Sequence, residues 1–279
     1  MPQAHLVQAN GASVPAIGYG TWTLSGDACI QAVGWALEAG YRHLDTARMY
    51  GNETEVGQAI KTSGLKRDDL FVTTKVWWTD IASGALERSA EGSLQRLGLD
   101  QVDLLLIHWP NATVPLAEST AALCRTKAQG LARHIGVSNY PSAMLDEAVR
   151  HATEPLVMNQ VEYHPYLDQS TVKRACERHG MAMTAYSPLG RAAVLQDPTL
   201  KGIAEAHCRS VSQVILRWHV QQPGVVAIPR SATRDHIAEN LDVFGFELSA
   251  EEMRRISALA RPDGRVITPD FAPDWDKAS

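Results

Sequence analysis

Val102-Asp-Leu-Leu-Leu-Ile107 is a nearly unbroken apolar run. A strand with one solvated face would alternate apolar and polar residues; a run like this fits a strand covered on both faces, as in a parallel sheet flanked by helices. Outward from it, short apolar runs alternate with longer ones of helical period. Candidate strands lie at 17–20, 41–44, 70–75, 102–108, 134–138, 156–161, 181–186 and 225–229. Candidate helices lie between them at 27–39, 53–62, 84–97, 116–129, 142–151, 169–178 and 211–221, and 234–241 and 250–259 follow the last strand. Strands recur mostly at intervals of about 25–30 residues, the size of one strand–helix unit. Eight such units predict a closed (β/α)8 barrel, an α/β fold, rather than an open doubly wound sheet.

Punctuation supports this reading. Residues 4–9 and 13–17, joined by Asn10-Gly11, read as an N-terminal β-hairpin. Gly40, Gly64, Gly98, Gly130 and Gly180 fall where helices should end. Ser249 with Glu252 has capping-box spacing at the start of the last helix. No linker divides the chain, so residues 1–279 are expected to form one domain, with 262–279 as a C-terminal tail.

The 279 residues are 45% hydrophobic and 20% charged, enough for a packed core, and the net charge of −5 argues against nucleic acid or an anionic membrane as partner. Cys29, Cys124, Cys176 and Cys208 are far apart with no C-x-x-C, so neither a disulfide framework nor a zinc site is expected. The start has no signal pattern, and no apolar run reaches the ~20 residues of a membrane span. A cytoplasmic protein is expected, with the Asn111-Ala-Thr113 sequon accidental.

In such a barrel, function collects at the C-terminal ends of the strands. Those ends carry Asp45, Lys75, His108, Ser138-Asn139, Gln160, Tyr186-Ser187 and Pro229-Arg230-Ser231, with Tyr50 in the loop after the second strand. Taken singly, Asp45 could cap a turn, Lys75 could be solvated, His108 could end a strand and Tyr50 could pack an edge. Their joint placement at one rim outweighs these readings. A phenol with an ordinary pKa near 10 is a weak acid at neutral pH. An adjacent ammonium (Lys75) would stabilise the phenolate and lower that pKa, Asp45 would hold the ammonium, and His108 could orient a carbonyl oxygen. An acid without a nucleophile or metal suits carbonyl reduction, with the hydride coming from a cofactor.

Rival chemistries lack their parts. No H-x-H pair, H-E-x-x-H or G-x-S-x-G occurs, so no metal site is expected. Gly18-Tyr-Gly20 leads into Thr21-Trp22-Thr23 with no third glycine, so the dinucleotide fingerprint fails, and no Gly-Lys-Ser/Thr marks a P-loop.

The segment Gly40-Tyr-Arg-His-Leu-Asp-Thr-Ala-Arg-Met-Tyr-Gly-Asn-Glu53 resembles a signature of the aldo-keto reductases. So do Thr73-Thr-Lys-Val-Trp77, 102–110, Ile135-Gly-Val-Ser-Asn139, 159–165, 185–190, 227–231 and 237–244, in family order over nearly the whole chain. The short N-terminus and the tail Phe271-Ala-Pro-Asp-Trp-Asp276 resemble the bacterial 2,5-diketo-D-gluconate reductases of B type, which also reduce methylglyoxal.

The resemblance implies an NADPH-dependent reductase of small carbonyl compounds, monomeric, with Asp45, Tyr50, Lys75 and His108 as catalytic tetrad and Tyr50 as proton donor. It implies that Tyr186 stacks on the nicotinamide and that Ser138, Asn139 and Gln160 hold its carboxamide. Gly20, Thr21 and Trp22 match the first loop over the cofactor, and Ser187, Leu189 and Gly190 the pyrophosphate stretch. Trp22, Trp77 and Trp109 match pocket-lining positions beside Tyr50 and His108, and Trp275 is a further candidate.

At the adenosine end, after Pro229, the sequence departs from the family pattern. Arg230 replaces a lysine, Ser231 is kept, His236 stands where an arginine is usual, and Glu239 and Asn240 follow. Arg230 can pair with a 2′-phosphate, whereas neutral His236 adds no charge; Arg234 compensates only if it faces the pocket. NADPH preference with some tolerance of NADH is expected. The alternative is a cofactor-sensing, non-catalytic barrel that serves as an interaction module. The intact tetrad and the absence of an added N-terminal segment count against it.

Overall fold

The computed structural model describes residues 5–276; Ala4, the first residue of the expected hairpin, and 277–279 of the expected tail lie outside the described residues. Strands β1 (Leu6–Ala9) and β2 (Ala12–Pro15) pair antiparallel with Ala9 opposite Ala12, so Asn10-Gly11 is the turn. Both turn residues have positive φ, 44° and 86°, the backbone that an Asn-Gly hairpin turn requires.

Eight strands follow: β3 (Tyr19–Gly20), β4 (His43–Asp45), β5 (Phe71–Val76), β6 (Val102–Ile107), β7 (Ala132–Ser138), β8 (Leu156–Glu162), β9 (Ala182–Tyr186) and β10 (Val225–Ala227). Each pairs in parallel with the next. The sheet closes where Gly18 N–H donates to Ala227 O (2.9 Å), Ala227 N–H to Ala16 O (2.9 Å) and Gly20 N–H to Pro229 O (3.0 Å). The fold is the expected (β/α)8 barrel with an N-terminal hairpin.

Around it lie α1 (Gly26–Ala39), α2 (Glu53–Thr62), α3 (Ala85–Leu97), α4 (Leu116–Ala128), α5 (Ser142–His151), α6 (Ser170–Arg178), α7 (Arg191–Val194), α8 (Pro198–Ala206), α9 (Val211–Val220), α10 (Arg234–Leu241) and α11 (Ala250–Ser257). Two of these, α7 and α8, fall in a stretch expected to be a connection. The start signal of α8 was present: Asp197 Oδ1 accepts from the amides of Thr199 (2.8 Å) and Leu200 (3.3 Å), and Pro198 occupies the first helical position. The Ser249–Glu252 capping box forms as expected. No helix among the described residues is long and apolar enough to cross a membrane.

Every residue of β6 is buried. Leu104 and Leu106 point into the barrel with Phe71, Met158 and Val226, and Ala9, Ala12 and Val14 of the hairpin join this inner cluster. Leu105 and Ile107 pack outward with the helix layer. Asp103, the polar residue of the run, accepts Val72 N–H (2.8 Å) and pairs with Arg67 (2.6 Å), so its burial is compensated.

The two-residue period of a strand then fixes what lies above the inner cluster. Phe71 faces inward, hence so do Thr73 and Lys75. Leu106 carries His108 to the same side, and Met158 carries Gln160. His43 contacts Thr73 (Nε2 to Oγ1, 3.1 Å), which puts Asp45 on the inner face too. The hairpin helps fill the other end, so the polar layer collects at the C-terminal rim.

Burial depresses the pKa of His43 to about 4 and of His219 to about 4, and burial followed by the Lys75 charge holds His108 well below the ordinary imidazole value. All three are neutral in the folded protein at pH 6–7, whereas in the unfolded chain they gain protons below about pH 6.5. Proton uptake by the unfolded state lowers stability as pH falls. Urea midpoints are therefore expected to drop between pH 7 and 5, before carboxylates titrate; an unchanged midpoint over that interval contradicts this.

Candidate active site

Lys75, at the inner upper end of β5, is completely buried. Its Nζ donates to Asp45 Oδ1 (2.5 Å), the Thr46 carbonyl (3.0 Å) and the Tyr50 hydroxyl (3.2 Å). Asp45 Oδ2 accepts Gln160 Nε2 (2.7 Å). Thus one carboxylate joins the ammonium to the amide at the end of β8. Burial works against the charge on Lys75, but the Asp45 carboxylate and then Tyr50 outweigh it, and the Lys75 pKa stands above its ordinary value.

Tyr50 ends a short 3₁₀ turn, Arg48–Tyr50, that follows β4. Its ring lies 4.9 Å from that of Trp22 and 5.6 Å from that of His108. One expectation needs correction here. Lys75 does pull the Tyr50 pKa down, but burial pushes it up by more, so the phenol sits above its ordinary value. In this state Tyr50 is a protonated phenol at neutral pH, and the ammonium's stabilisation is available to a phenolate only as one forms. His108 is neutral, and its Nδ1 is buried with no partner among the described residues.

Beside this set, the ends of β7, β8 and β9 make a shelf of amides and hydroxyls. Ser138 Oγ donates to Gln160 O (2.7 Å), Asn139 Nδ2 to His108 O (2.9 Å), and Tyr186 OH to Asn139 Oδ1 (2.8 Å). Gln160 Oε1 accepts no hydrogen bond among the described residues, leaving an acceptor for an incoming amide. Asn139 (φ 64°) and Ser187 (φ 48°) hold left-handed backbone immediately after their strands. Such strain in non-glycine residues gathers where a site dictates the backbone. Leu189 and Gly190 continue from Ser187 into α7, and Gly190 adopts φ 53°. A planar amide-bearing ring beside Tyr186 fits this donor and acceptor set.

The first loop is fastened from below. Thr21 Oγ1 donates to Asp45 O (3.0 Å), and buried Asn52 donates to the carbonyls of Thr21 and Leu24 (2.9 Å each). Gly20 is buried in β3, while Trp22 stands 50% exposed over Tyr50. After β10 and Pro229, Arg230 Nη2 donates to Thr23 Oγ1 (2.7 Å), and Tyr19 OH to Ser231 O (2.5 Å). His236 is exposed, Glu239 is half-buried and Asn240 is buried on the same helix. Arg234 pairs with Glu38 (3.1 Å) at the surface.

Five aromatic residues continue the rim beyond His108. Trp77 lies 5.1 Å from His108, and Phe271 lies 5.7 Å from Trp77 and from Trp109 and stacks on Trp78 at 4.6 Å. Trp275 meets Trp109 at 6.0 Å. The tail is thereby drawn across the mouth. It is held by Glu162, which accepts the amides of Val266 (2.8 Å) and Ile267 (2.9 Å), and by Asp276, which accepts Ser142 N–H (2.8 Å) and Oγ (2.6 Å). At Gly264 the tail passes so close to Tyr166 that a Cβ would lie 1.7 Å from its carbonyl oxygen, so only glycine fits.

The structure brings together the four expected polar residues, the expected amide shelf and the three expected tryptophans. Sequence reasoning missed Phe271, Trp78 and the loop-fastening Asn52. Phe271 and Trp275, two aromatics in a stretch rich in Pro and Asp, were the available sign for the tail; the rest carry no periodic signal. A separate groove of about 860 Å3, lined by His5, Tyr41, Leu241 and Phe244 among others, contains none of these residues.

A parallel barrel with a buried lysine and aspartate and a half-buried tyrosine at its C-terminal rim defines a class of barrel oxidoreductase. The family model for the aldo/keto reductase family matches residues 16–261, and the chain belongs to that family. It is 44% identical over 261 residues to an aldo-keto reductase of Mycolicibacterium smegmatis, covering 93% of this chain and 91% of the relative. It is 41% identical over 274 residues to the 9,11-endoperoxide prostaglandin H2 reductase of Trypanosoma cruzi, covering 96% of each. A crystal structure provisionally described as a 2,5-diketo-D-gluconic acid reductase B superposes with a TM-score of 0.96 at 45% identity, covering 98% of both chains. The Bombyx mori aldo-keto reductase in complex with NADP gives a TM-score of 0.90 at 35% identity, covering 97% of this chain and 96% of that one. The protein is an oxidoreductase of a family that acts on small-molecule carbonyl compounds with a nicotinamide cofactor.

Proposed function

We propose that the protein is an NADPH-dependent reductase of aldehydes and ketones in which Tyr50 delivers the proton, working also in reverse as an alcohol dehydrogenase. The observation that carries this is Lys75 Nζ between Asp45, Thr46 O and the Tyr50 hydroxyl. When bound, the reduced nicotinamide supplies a hydride to the carbonyl carbon. Tyr50 gives its proton to the carbonyl oxygen as charge grows there, and Lys75 stabilises the phenolate left behind. Asp45 keeps Lys75 charged and aimed. Neutral His108 orients the carbonyl, and Trp22, Trp77 and Trp109 wall an apolar pocket that keeps water from the reacting centre.

Ser138, Asn139 and Gln160 would hold the carboxamide, with Tyr186 as stacking floor; Gly20, Thr21 and Trp22 would cover the cofactor; Ser187, Leu189 and Gly190 would meet the pyrophosphate. Arg230 would pair with the 2′-phosphate, with Pro229, Ser231, His236, Glu239 and Asn240 around the adenosine. Arg234, engaged with Glu38, does not supply the charge that His236 lacks. Discrimination against NADH then rests on Arg230. Arg230→Ala is expected to raise KM for NADPH about 10-fold and for NADH little, by loss of a charge-assisted pair. His236→Arg should widen the NADPH preference several-fold. Equal effects on the two cofactors would count against this assignment.

Methylglyoxal and 2,5-diketogluconate are the first substrates to assay, because the tail Phe271-Ala-Pro-Asp-Trp-Asp276 resembles that of the B-type reductases. The proposal treats residues 1–279 as one catalytic domain, a cytoplasmic monomer, with four cysteines that form no disulfide. Loss of NADPH absorbance on adding methylglyoxal is the direct assay. A protein that binds NADPH but consumes none with any carbonyl compound would instead be the cofactor-sensing module.

A further inference from the structure

Successive inward positions of β8 serve different ends. Met158 lies in the inner cluster, Gln160 donates to Asp45, and Glu162, one period further along, takes hold of the tail. The Glu162 side chain is completely buried. Its Oε1 accepts Val266 N–H (2.8 Å) and His164 Nε2–H (3.0 Å), and its Oε2 accepts Ile267 N–H (2.9 Å). A carboxylate is tolerated at this depth only where such donors replace water, so the charge and the seated tail depend on each other.

His164 extends this contact to the loop after β9. It is buried as well, and because a carboxylate can only accept, the shared proton belongs to Nε2. The other face of the contact is Gly190: a Cβ there would lie 2.9 Å from Cγ and 3.1 Å from Nδ1 of the imidazole. The Nδ1 atom has no hydrogen-bond partner among the described residues, so packing against Gly190 is what fixes the ring on that side. Gly190 and Ser187 both hold left-handed backbone, φ 53° and 48°. In a close-packed interior this loop cannot shift inward without displacing the imidazole, nor the imidazole without disturbing Glu162.

We infer that Glu162 and His164 are positioning residues for the reaction. They seat the tail, with its pocket wall Phe271, on the same buried bracket as loop 187–190, so that nucleotide held by the loop tightens the seat of the wall. Fixing Gly190 fixes the ring, and a fixed ring removes one way for Glu162 to release the tail amides. This rests on the reading above that the loop meets the pyrophosphate.

Hydrogen exchange at Val266 and Ile267, with and without NADPH, is the test. In wild type, saturating NADPH should slow it about 5-fold or more, the low end of coupling between sites. No slowing in protein that binds NADPH overturns the inference while leaving the reductase standing. Glu162→Gln turns an amide N–H toward one of the two tail N–H groups. Exchange there should rise about 10- to 100-fold, the worth of a hydrogen bond to a charged group, while β6 keeps its wild-type rate. KM for methylglyoxal should rise about 10-fold, with the single-turnover rate at saturation little changed, as for a lost binding contribution. A slower single turnover at unchanged KM contradicts a positioning role. His164→Ala leaves both tail amides on Glu162, so exchange without NADPH should stay close to wild type while the protection by NADPH disappears. His164→Gln, whose amide replaces Nε2–H, should restore part of that protection. If Glu162→Gln loosens the whole barrel, His164→Ala decides, and protection retained in it overturns the inference. If NADPH does not bind, the reductase reading falls and the coupling with it. The bracket is then supported by faster tail exchange in Glu162→Gln and overturned by unchanged exchange.

Discussion

Tyr50→Phe is expected to lower kcat by about 10²- to 10⁴-fold, the usual worth of a positioned general acid. Only one oxygen is removed, and it bonds to Lys75 at 3.2 Å and to no other described residue. Packing against Trp22 and His108 is retained by phenylalanine. Thermal stability should change by less than about 1 kcal/mol, in line with loss of a single hydrogen bond. NADPH affinity, read by fluorescence, should be nearly unchanged, because the shelf around Ser138, Asn139 and Gln160 is untouched. The sign of the Tyr50 pKa shift matters here. A phenol above its ordinary value stays protonated through neutral pH, so activity in the reducing direction should show no loss between pH 6 and 8 from ionisation of this group.

Lys75→Met is expected to abolish turnover and also to destabilise the fold. The Lys75 side chain is 0% and that of Asp45 1% exposed, so removing the ammonium leaves a buried carboxylate paired only with the Gln160 amide. Breaking a buried ion pair from one side costs roughly 3–5 kcal/mol. The double variant Asp45→Asn/Lys75→Met removes both charges and should recover part of that loss without recovering activity, since the phenolate still lacks its cation. Urea unfolding of the two single variants and the double gives the coupling. A Lys75→Met protein as stable as wild type would mean that the pair is solvated, against the burial seen here.

The contrast between these variants also explains what could be read in advance. Val102–Ile107 announced a strand covered on both faces because burial on both sides removes the need for polar alternation. Its period then carries Leu106 to His108, as β5 carries Phe71 to Lys75, so the polar rim was legible as strand ends before any coordinate. Asp103 is tolerated inside that run by partners the run itself does not contain, Val72 N–H from an adjoining strand and Arg67 from a turn.

What could not be read depends on chain segments without a period. The tail crosses the mouth only because Glu162 gathers the amides of Val266 and Ile267 and Asp276 gathers Ser142, contacts spanning more than 100 residues. Phe271 therefore entered the pocket unannounced. The helix Pro198–Ala206 was missed for another reason: its Asp-Pro start was visible, but its nine residues were read as part of a connection. The Tyr50 pKa went the other way from expectation because sequence names the neighbouring ammonium and not the depth of burial that outweighs it.

Release of products can limit kcat in enzymes whose loops close over the site, so steady-state turnover can mask the chemical step. The most direct test of Tyr50 as proton donor is a single turnover. Protein loaded with NADPH is mixed rapidly with a saturating carbonyl substrate, and the disappearance of NADPH is followed in wild type and Tyr50→Phe. A rate constant at least 100-fold lower in the variant, with NADPH affinity matching wild type, is the predicted result; rate constants within about 3-fold of each other would contradict the account.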